Sequence, residues 1–254
     1  DACLVGSEMC IRDRFRGGWN TISSLSGEEA SKGVCTHSSG NHAQAVAYAA
    51  MKRNIPAHIV MPRNAPKVKI QAVEGYRANI TLCEPTLKAR RETLEKIAEK
   101  TGAYVVHPFN EPKVIAGQGT CAMEMIEDIG DLDAICAPIG GGGLMSGTCI
   151  AARSMLPNVR LFGAEPKGAD DAYQSLKKGK LIPQNNPKTI CDGLLTSMGE
   201  NTWNILKDHL EDIITVSDEE VVTAMKLIWE RMKIIIEPSC CLLYTSDAAD
   251  DWSS

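Results

Sequence analysis

Ala134-Ile135-Cys136-Ala137-Pro138-Ile139-Gly140-Gly141-Gly142-Gly143-Leu144 runs from an apolar strand through four glycines into a helix. The strand reading rests on a short unbroken apolar run closed by glycine, and the helix on the pattern over 144–156. Four glycines let successive backbone N–H groups turn toward one anion, and a helix N-terminus adds the positive end of its dipole. A tight turn needs only one or two glycines, so the stretch reads as an anion cradle with phosphate as its natural guest. A dinucleotide fingerprint is the competing reading, because Glu165 stands 22 residues past Gly143, where a ribose-binding acid would lie. The glycine register fails: the third glycine position falls on Ser146 counting from Gly141 and Gly143, and on Met145 counting from Gly140 and Gly142.

Outward from this stretch, strands and helices alternate. Toward the N-terminus the pattern predicts strands over 33–36, 57–61, 79–83 and 104–106, and helices over 41–53, 66–76, 87–100 and 114–129. Toward the C-terminus it predicts strands over 160–164 and 213–216, and a helix from the Ser217/Glu220 capping box to about residue 236. The polar stretch 166–187 reads as a surface excursion. Helices between short apolar strands mean parallel sheets with crossovers. Two successive series suggest an α/β fold with two lobes, ligands lying beyond the C-terminal strand ends.

Composition narrows the function classes. The 254 residues are 44% hydrophobic, enough for a core, and the net charge of −5 with no basic stripe argues against nucleic acid as a partner. No apolar run is long enough to span a membrane. The ten cysteines form no C-x-x-C pair, so structural zinc and thioredoxin-like chemistry are not expected, and the scattered thiols read as reduced in a cytoplasmic protein. Residues 1–13 and 241–254 lack period and caps, resemble translated adapter sequence, and are read as non-native tails.

Two further constellations carry chemistry. Thr36-His37-Ser38-Ser39-Gly40-Asn41-His42-Ala43-Gln44 follows a strand and opens a helix; its hydroxyls, amide and imidazoles suit a carboxylate or phosphate, against the plainer reading of a Ser/Asn N-cap. Glu165-Pro166-Lys167-Gly168-Ala169-Asp170-Asp171 gathers hard oxygen donors that suit Mg²⁺ or Ca²⁺, against the plainer reading of a solvated acidic loop.

THSSGNHAQA, GGGGLMSG, EPKGADDAYQSLKKGKL, DGLLTSMGENTW and WERMKIIIEP, in this order, resemble the serine racemase and serine/threonine dehydratase family of fold type II pyridoxal-phosphate enzymes, over about residues 15–239. The resemblance implies a two-lobed fold like the tryptophan synthase β subunit, truncated at both ends. Residues 14–24 and 106–240 would form an incomplete large cofactor domain, and 25–105 the small domain. Gly140, Gly141, Gly142, Gly143 and Leu144 would hold the pyridoxal 5'-phosphate ester, and Asn41 its ring hydroxyl. Ser38, Ser39, His42 and Arg90 would receive the carboxylate of an amino acid such as serine or threonine, Ser39 also serving as acid/base on one face of the α-carbon. Glu165, the Ala169 carbonyl and Asp171 would hold Mg²⁺ or Ca²⁺. Gln44, Tyr76 and Lys233 align with nucleotide-effector contacts, and the family forms homodimers. The implied activities are racemisation and loss of the β-hydroxyl with release of ammonia. The rival readings are an ammonia-lyase without racemase activity and a non-catalytic binding paralogue.

One position departs from the family. Its Schiff-base lysine aligns with Arg14 in Arg14-Phe15-Arg16-Gly17-Gly18-Trp19-Asn20. Arginine keeps its proton in proteins and cannot form an imine. The chain as written is therefore expected to be inactive and to hold the cofactor weakly, without a covalent bond.

Overall fold

The structure is a computed structural model that describes residues 2–4 and 11–245. In chain order the elements are β1 (Ala2–Leu4), α1 (Ile11–Ser23), α2 (Gly27–Lys32), β2 (Val34–His37), α3 (Asn41–Arg53), β3 (Ala57–Pro62), α4 (Lys67–Gly75), β4 (Asn79–Cys83), α5 (Leu87–Thr101) and β5 (Tyr104–Val105). They continue as α6 (Pro112–Ile129), β6 (Ala134–Pro138), α7 (Gly143–Met155), β7 (Arg160–Pro166), α8 (Asp171–Lys178), α9 (Glu200–His209), β8 (Asp212–Val216), α10 (Asp218–Met232) and α11 (Pro238–Cys241). The chain divides into two units, Arg14–Gly117 and Asp1–Asp13 with Gln118–Ser254.

In residues 14–117 four parallel strands lie in the order β4-β3-β2-β5. The chain steps outward from β2 through β3 to β4, then crosses back to place β5 on the far side of β2. Strand order therefore reverses between β2 and β5, the point where such sheets hold ligands beyond their C-terminal ends. Against this sheet lies α3, whose alanines are strong helix formers and small enough for close approach. Ala43, Ala45, Ala47, Ala49 and Ala50 are all buried in it, around Val46.

The sequence expectation put 14–24 and 106–117 with the large domain; the division of the structure places both with residues 25–105 instead. The packing of α1 explains this. Phe15 stacks on Trp19 and meets Tyr48 of α3 at 5.1 Å between ring centroids. Gly117 of α6 comes so near α1 that a Cβ there would lie 2.5 Å from the Arg16 carbonyl oxygen. The Arg53 guanidinium donates to the carbonyls of Ile22 and Leu25, closing the C-terminal end of α1.

The second unit holds a parallel sheet in the order β1-β6-β7-β8. Every residue of β6 is buried, as a central parallel strand covered on both faces requires. Ile135, Ala137 and Ile139 join Met145 of α7, Leu161 of β7 and Leu206 of α9 in one core.

The excursion expected over 166–187 is instead partly helical, because α8 lies there with Ala172 and Ser175 fully buried. Ala172 and Ser175 face the core with the partly buried Tyr173 and Leu176, a period that eight residues are too few to make stand out. The stretches 1–13 and 241–254 were excluded from the fold by sequence; β1 pairs with β6, 11–13 begin α1, and Cys241, Leu242 and Leu243 are buried beside Cys136 and Val221. Residues 1, 5–10 and 246–254 of those stretches lie outside the described residues.

Candidate active site

In residues 14–117 the site residues gather at the C-terminal strand ends. β2 ends at His37, Ser38-Ser39-Gly40 turns, and α3 begins at Asn41 with no side chain capping it at Gly40. The Ser38 N–H donates to the Val60 carbonyl at 3.1 Å, and the Gly40 N–H to Ser38 Oγ at 3.3 Å. His42 is buried and its Nε2 lies 3.1 Å from the Val106 carbonyl oxygen. A carbonyl only accepts, so Nε2 carries the proton and Nδ1 carries none. Burial, followed by the neighbouring positive groups, pushes the His42 pKa down to about 4. What His42 offers an incoming carboxylate is therefore its backbone N–H at the head of α3.

Arg14 faces this corner: its charge is one of the fields that press on His42, and its Nη1 is buried without a hydrogen-bond partner. Arg90 stands in the first turn of α5, behind the Thr86 N-cap, and its Nε is likewise buried and unpartnered. Tyr76 lies against Tyr48 at 5.2 Å between ring centroids, and Gln44 belongs to the first turn of α3.

Two residues that sequence reasoning missed complete the corner. His107 Nδ1 accepts the backbone N–H groups of Phe109 and Asn110 at 3.3 and 2.9 Å, which leaves its proton on Nε2. Burial, then the fields of His37 and Arg91, takes its pKa down to about 4. Glu111 accepts the Tyr104 hydroxyl at 2.7 Å and the His107 N–H at 3.2 Å. The signal was position: His107 stands two residues past the end of β5, on one side of the point where strand order reverses.

In the second unit β6 runs into Gly140–Gly143, all buried. Gly142 has φ +85°, and a Cβ there would lie 2.9 Å from Thr202 Cβ, so only glycine suits the position. Thr202 Oγ1, 2.9 Å from the Gly141 carbonyl oxygen, ties the loop to α9. The N-terminus of α7 has no side-chain cap at Gly142, and the Ser146 hydroxyl in its first turn is buried without a hydrogen-bond partner. A buried helix end with unmet donors calls for an anion. The residues present therefore fit the phosphate ester of the expected cofactor, with Leu144 contributing its place in the first turn.

Glu165 ends β7 fully buried, and its two carboxylate oxygens accept the Ala172 and Tyr173 N–H groups at 3.2 and 2.8 Å. Burial, and then the charge of Asp171, hold its pKa well above the usual range. Asp171 accepts from the Met198 N–H at 3.0 Å and from Gln184 Nε2 at 3.3 Å, and burial lifts its pKa to about 6. Ala169 is buried between them in sequence. Among the described residues no cluster of three or more histidine, cysteine or acidic side chains suits a metal. The expected donors, two buried carboxylates and a peptide carbonyl, are hard oxygens that would need water to complete a coordination shell.

Comparison with known proteins converges on one family. Residues 14–246 match the family described as pyridoxal-phosphate dependent enzyme. The chain is 50% identical to a β-hydroxyaspartate dehydratase of Paracoccus denitrificans over 226 residues, 89% of this chain and 72% of that protein. It is 50% identical to a serine racemase of Dictyostelium discoideum over 228 residues, 89% of this chain and 70% of that protein. The solved maize serine racemase superposes with a TM-score of 0.93 at 43% identity, covering 95% of this chain and 74% of that one. With the phosphate-ready loop at 140–143 and parallel sheets flanked by helices, the chain belongs to the fold type II pyridoxal-phosphate enzymes, in the serine racemase and dehydratase family.

Proposed function

We propose that the parent enzyme racemises serine and eliminates the β-hydroxyl of β-hydroxy amino acids, and that this chain, with Arg14 at the imine position, does neither. The observation that carries the cofactor reading is the buried, uncapped N-terminus of α7 behind four glycines. Bound there, pyridoxal phosphate supplies an electron sink for charge developed at the substrate α-carbon. The chain's own residues do the rest. The head of α3, with Ser38, Ser39 and the His42 N–H, binds and orients the α-carboxylate. Ser39 Oγ gives or takes a proton on one face of the α-carbon. A racemase needs a second acid/base on the opposite face, and arginine, always protonated, cannot take a proton there.

The test is Arg14→Lys. The chain as written, mixed with pyridoxal phosphate, gives no borohydride-sensitive visible absorbance; Arg14→Lys gains it. Absorbance of that kind in the unsubstituted chain overturns the inactivity reading, and its absence in Arg14→Lys overturns the cofactor site. Chiral analysis of serine then separates racemase from lyase: keto acid without D-serine marks a lyase.

Glu165 and Asp171 are buried carboxylates whose ionisation burial opposes, a cost that a bound Mg²⁺ or Ca²⁺ would relieve, which supports a structural ion there. The expected outcome is a rise in melting temperature on adding either ion at neutral pH, absent in Asp171→Asn. Tyr76 and Gln44 remain candidate nucleotide-effector contacts in one unit, and Lys233 in the other. We further propose that the protein forms a homodimer. Buried thiols at Cys35, Cys136, Cys149 and Cys191 support a reducing, cytoplasmic setting, and no helix among the described residues is long and apolar enough to cross a membrane.

A further inference from the structure

Resting on the cofactor reading above, we propose that Thr202 is a positioning residue for the phosphate cradle: its hydroxyl holds the Gly141 carbonyl and so aims the Gly142 N–H at the anion.

A fully buried hydroxyl needs a task. Thr202 lies in the first turn of α9, and the next core residues of that helix, Trp203 and Leu206, belong to the apolar core of the unit. Valine has the same shape and would sit there without the cost of taking a hydroxyl out of water. Capping α9 accounts for only part of what the hydroxyl does. Its oxygen accepts the Gly199 N–H at 3.0 Å. Its single proton has two carbonyl oxygens within reach, Gly141 at 2.9 Å and Gly199 at 3.0 Å. The Gly199 carbonyl already accepts the Trp203 N–H at 2.9 Å, so the proton goes to Gly141.

That bond sets a direction. A peptide group is planar and trans, so its C=O and N–H point opposite ways. With the Gly141 carbonyl turned to α9, the Gly142 N–H is turned away from it. Gly142 is the N-cap position of α7, so this N–H heads the row of donors that the uncapped helix presents. The same side chain also fixes the backbone by contact. Gly142 has φ +85°, and a Cβ there would lie 2.9 Å from Thr202 Cβ and 3.0 Å from Thr202 Oγ1. At Gly140 the wall is backbone instead, with Leu194 Cα and the Gly193 carbonyl oxygen 3.1 and 3.3 Å from where a Cβ would stand. Four glycines can adopt many turns, and a hydroxyl clamp on the second selects one before the anion arrives.

The test is calorimetric titration of the whole chain with inorganic phosphate and with pyridoxine phosphate, which lacks the aldehyde and forms no imine with surface lysines. The Gly142 amide resonance of the ligand-free, glycine-labelled chain is read beside it. Thr202→Val, which keeps the shape and loses the hydroxyl, binds both anions about tenfold more weakly, the effect of one hydrogen bond. Thr202→Ala, which asks less of the packing, repeats that loss. Thr202→Ser, which keeps the hydroxyl, stays within about threefold of the parent chain. The Gly142 resonance moves in Thr202→Val and stays in Thr202→Ser. Equal affinities in the parent chain and Thr202→Val overturn the proposal. So does a Thr202→Ser variant as weak as Thr202→Val, which makes the methyl contact or the folding of α9 the cause. Failure of the cofactor reading looks different: the parent chain then binds neither anion, while the Gly142 resonance still follows the hydroxyl.

Discussion

A guanidinium and an ammonium carry the same charge but differ in whether they can give up a proton near neutrality, and Arg14 shows the difference at one atom. Lysine there could give up its proton and become a neutral nucleophile. Arginine only adds charge. Arg14→Lys is therefore expected to change the chemistry far more than the stability, with the melting temperature in cofactor-free buffer moving little while borohydride-sensitive absorbance appears. The histidines give a second prediction at this scale. His42 and His107 are both held near 4, below the 6.5 usual for imidazole. Between those values the unfolded chain binds protons that the folded chain refuses. Neither group costs the fold anything above pH 6.5, and each costs more as the pH falls toward 4. For His42 the cost reaches about 2 kcal/mol at pH 5. Asp171 has the opposite sign: lifted to about 6, it burdens the fold as the pH rises through that value. Urea unfolding at pH 7 and pH 5 isolates the His42 share. His42→Gln, which removes the titration, should lose about 2 kcal/mol less than the unsubstituted chain between the two pH values. An equal loss in both would show that His42 does not titrate low.

Elements obey simpler rules than sites, and most were readable. The helix over 41–53 and the strand over 79–83 coincide with α3 and β4, and the Ser217/Glu220 box caps α10 in both directions, with Ser217 Oγ 3.3 Å from the Glu220 N–H. Of the helices not legible in the sequence, α1 and α8 show two causes. α1 carries Gly17 and Gly18 in its middle, residues that a propensity reading counts against a helix. Gly17 lies where α6 comes close, with its Cα 2.7 Å from where a Cβ on Gly117 would stand, a fact of tertiary packing and not of local sequence, while at Gly18 a Cβ would meet Ala45 at an ordinary 3.7 Å. α8 is eight residues long, too short for the inward set of Ala172, Tyr173, Ser175 and Leu176 to declare a helical period. The site was legible where backbone chemistry is written in glycine, at 140–143. It was not legible at His107, whose significance depends on β5 lying beside β2, a pairing of distant segments. Gly142 tests the glycine argument. Gly142→Ala must accept φ +85° and a Cβ pressed on Thr202, and should cost at least about 2 kcal/mol and weaken phosphate binding. Gly75, with open space around it at the end of α4, is the contrast: Gly75→Ala should lie within about 1 kcal/mol of the parent in urea unfolding.

At the scale of the whole molecule the two units differ in what they can bind as well as in sequence. Residues 14–117 have their own parallel sheet and apolar core, built around α3, and the second unit has another, built around β6 and α7. A segment with its own sheet and core is able to unfold as a separate cooperative block. The ligands then discriminate between the blocks. On the proposed sites, phosphate would bind at the head of α7 in the second unit and a carboxylate at the head of α3 in residues 14–117. A ligand that binds only the folded form of one block stabilises that block, by about 2.7 kcal/mol at a hundred times its dissociation constant. Differential scanning calorimetry of the chain should therefore give a calorimetric enthalpy larger than the van't Hoff enthalpy, as two overlapping transitions do. Inorganic phosphate should move one transition upward and succinate the other. A single transition that shifts as a whole with either ligand would mean that the two sheets melt as one cooperative body, with anion sites that report on the entire chain.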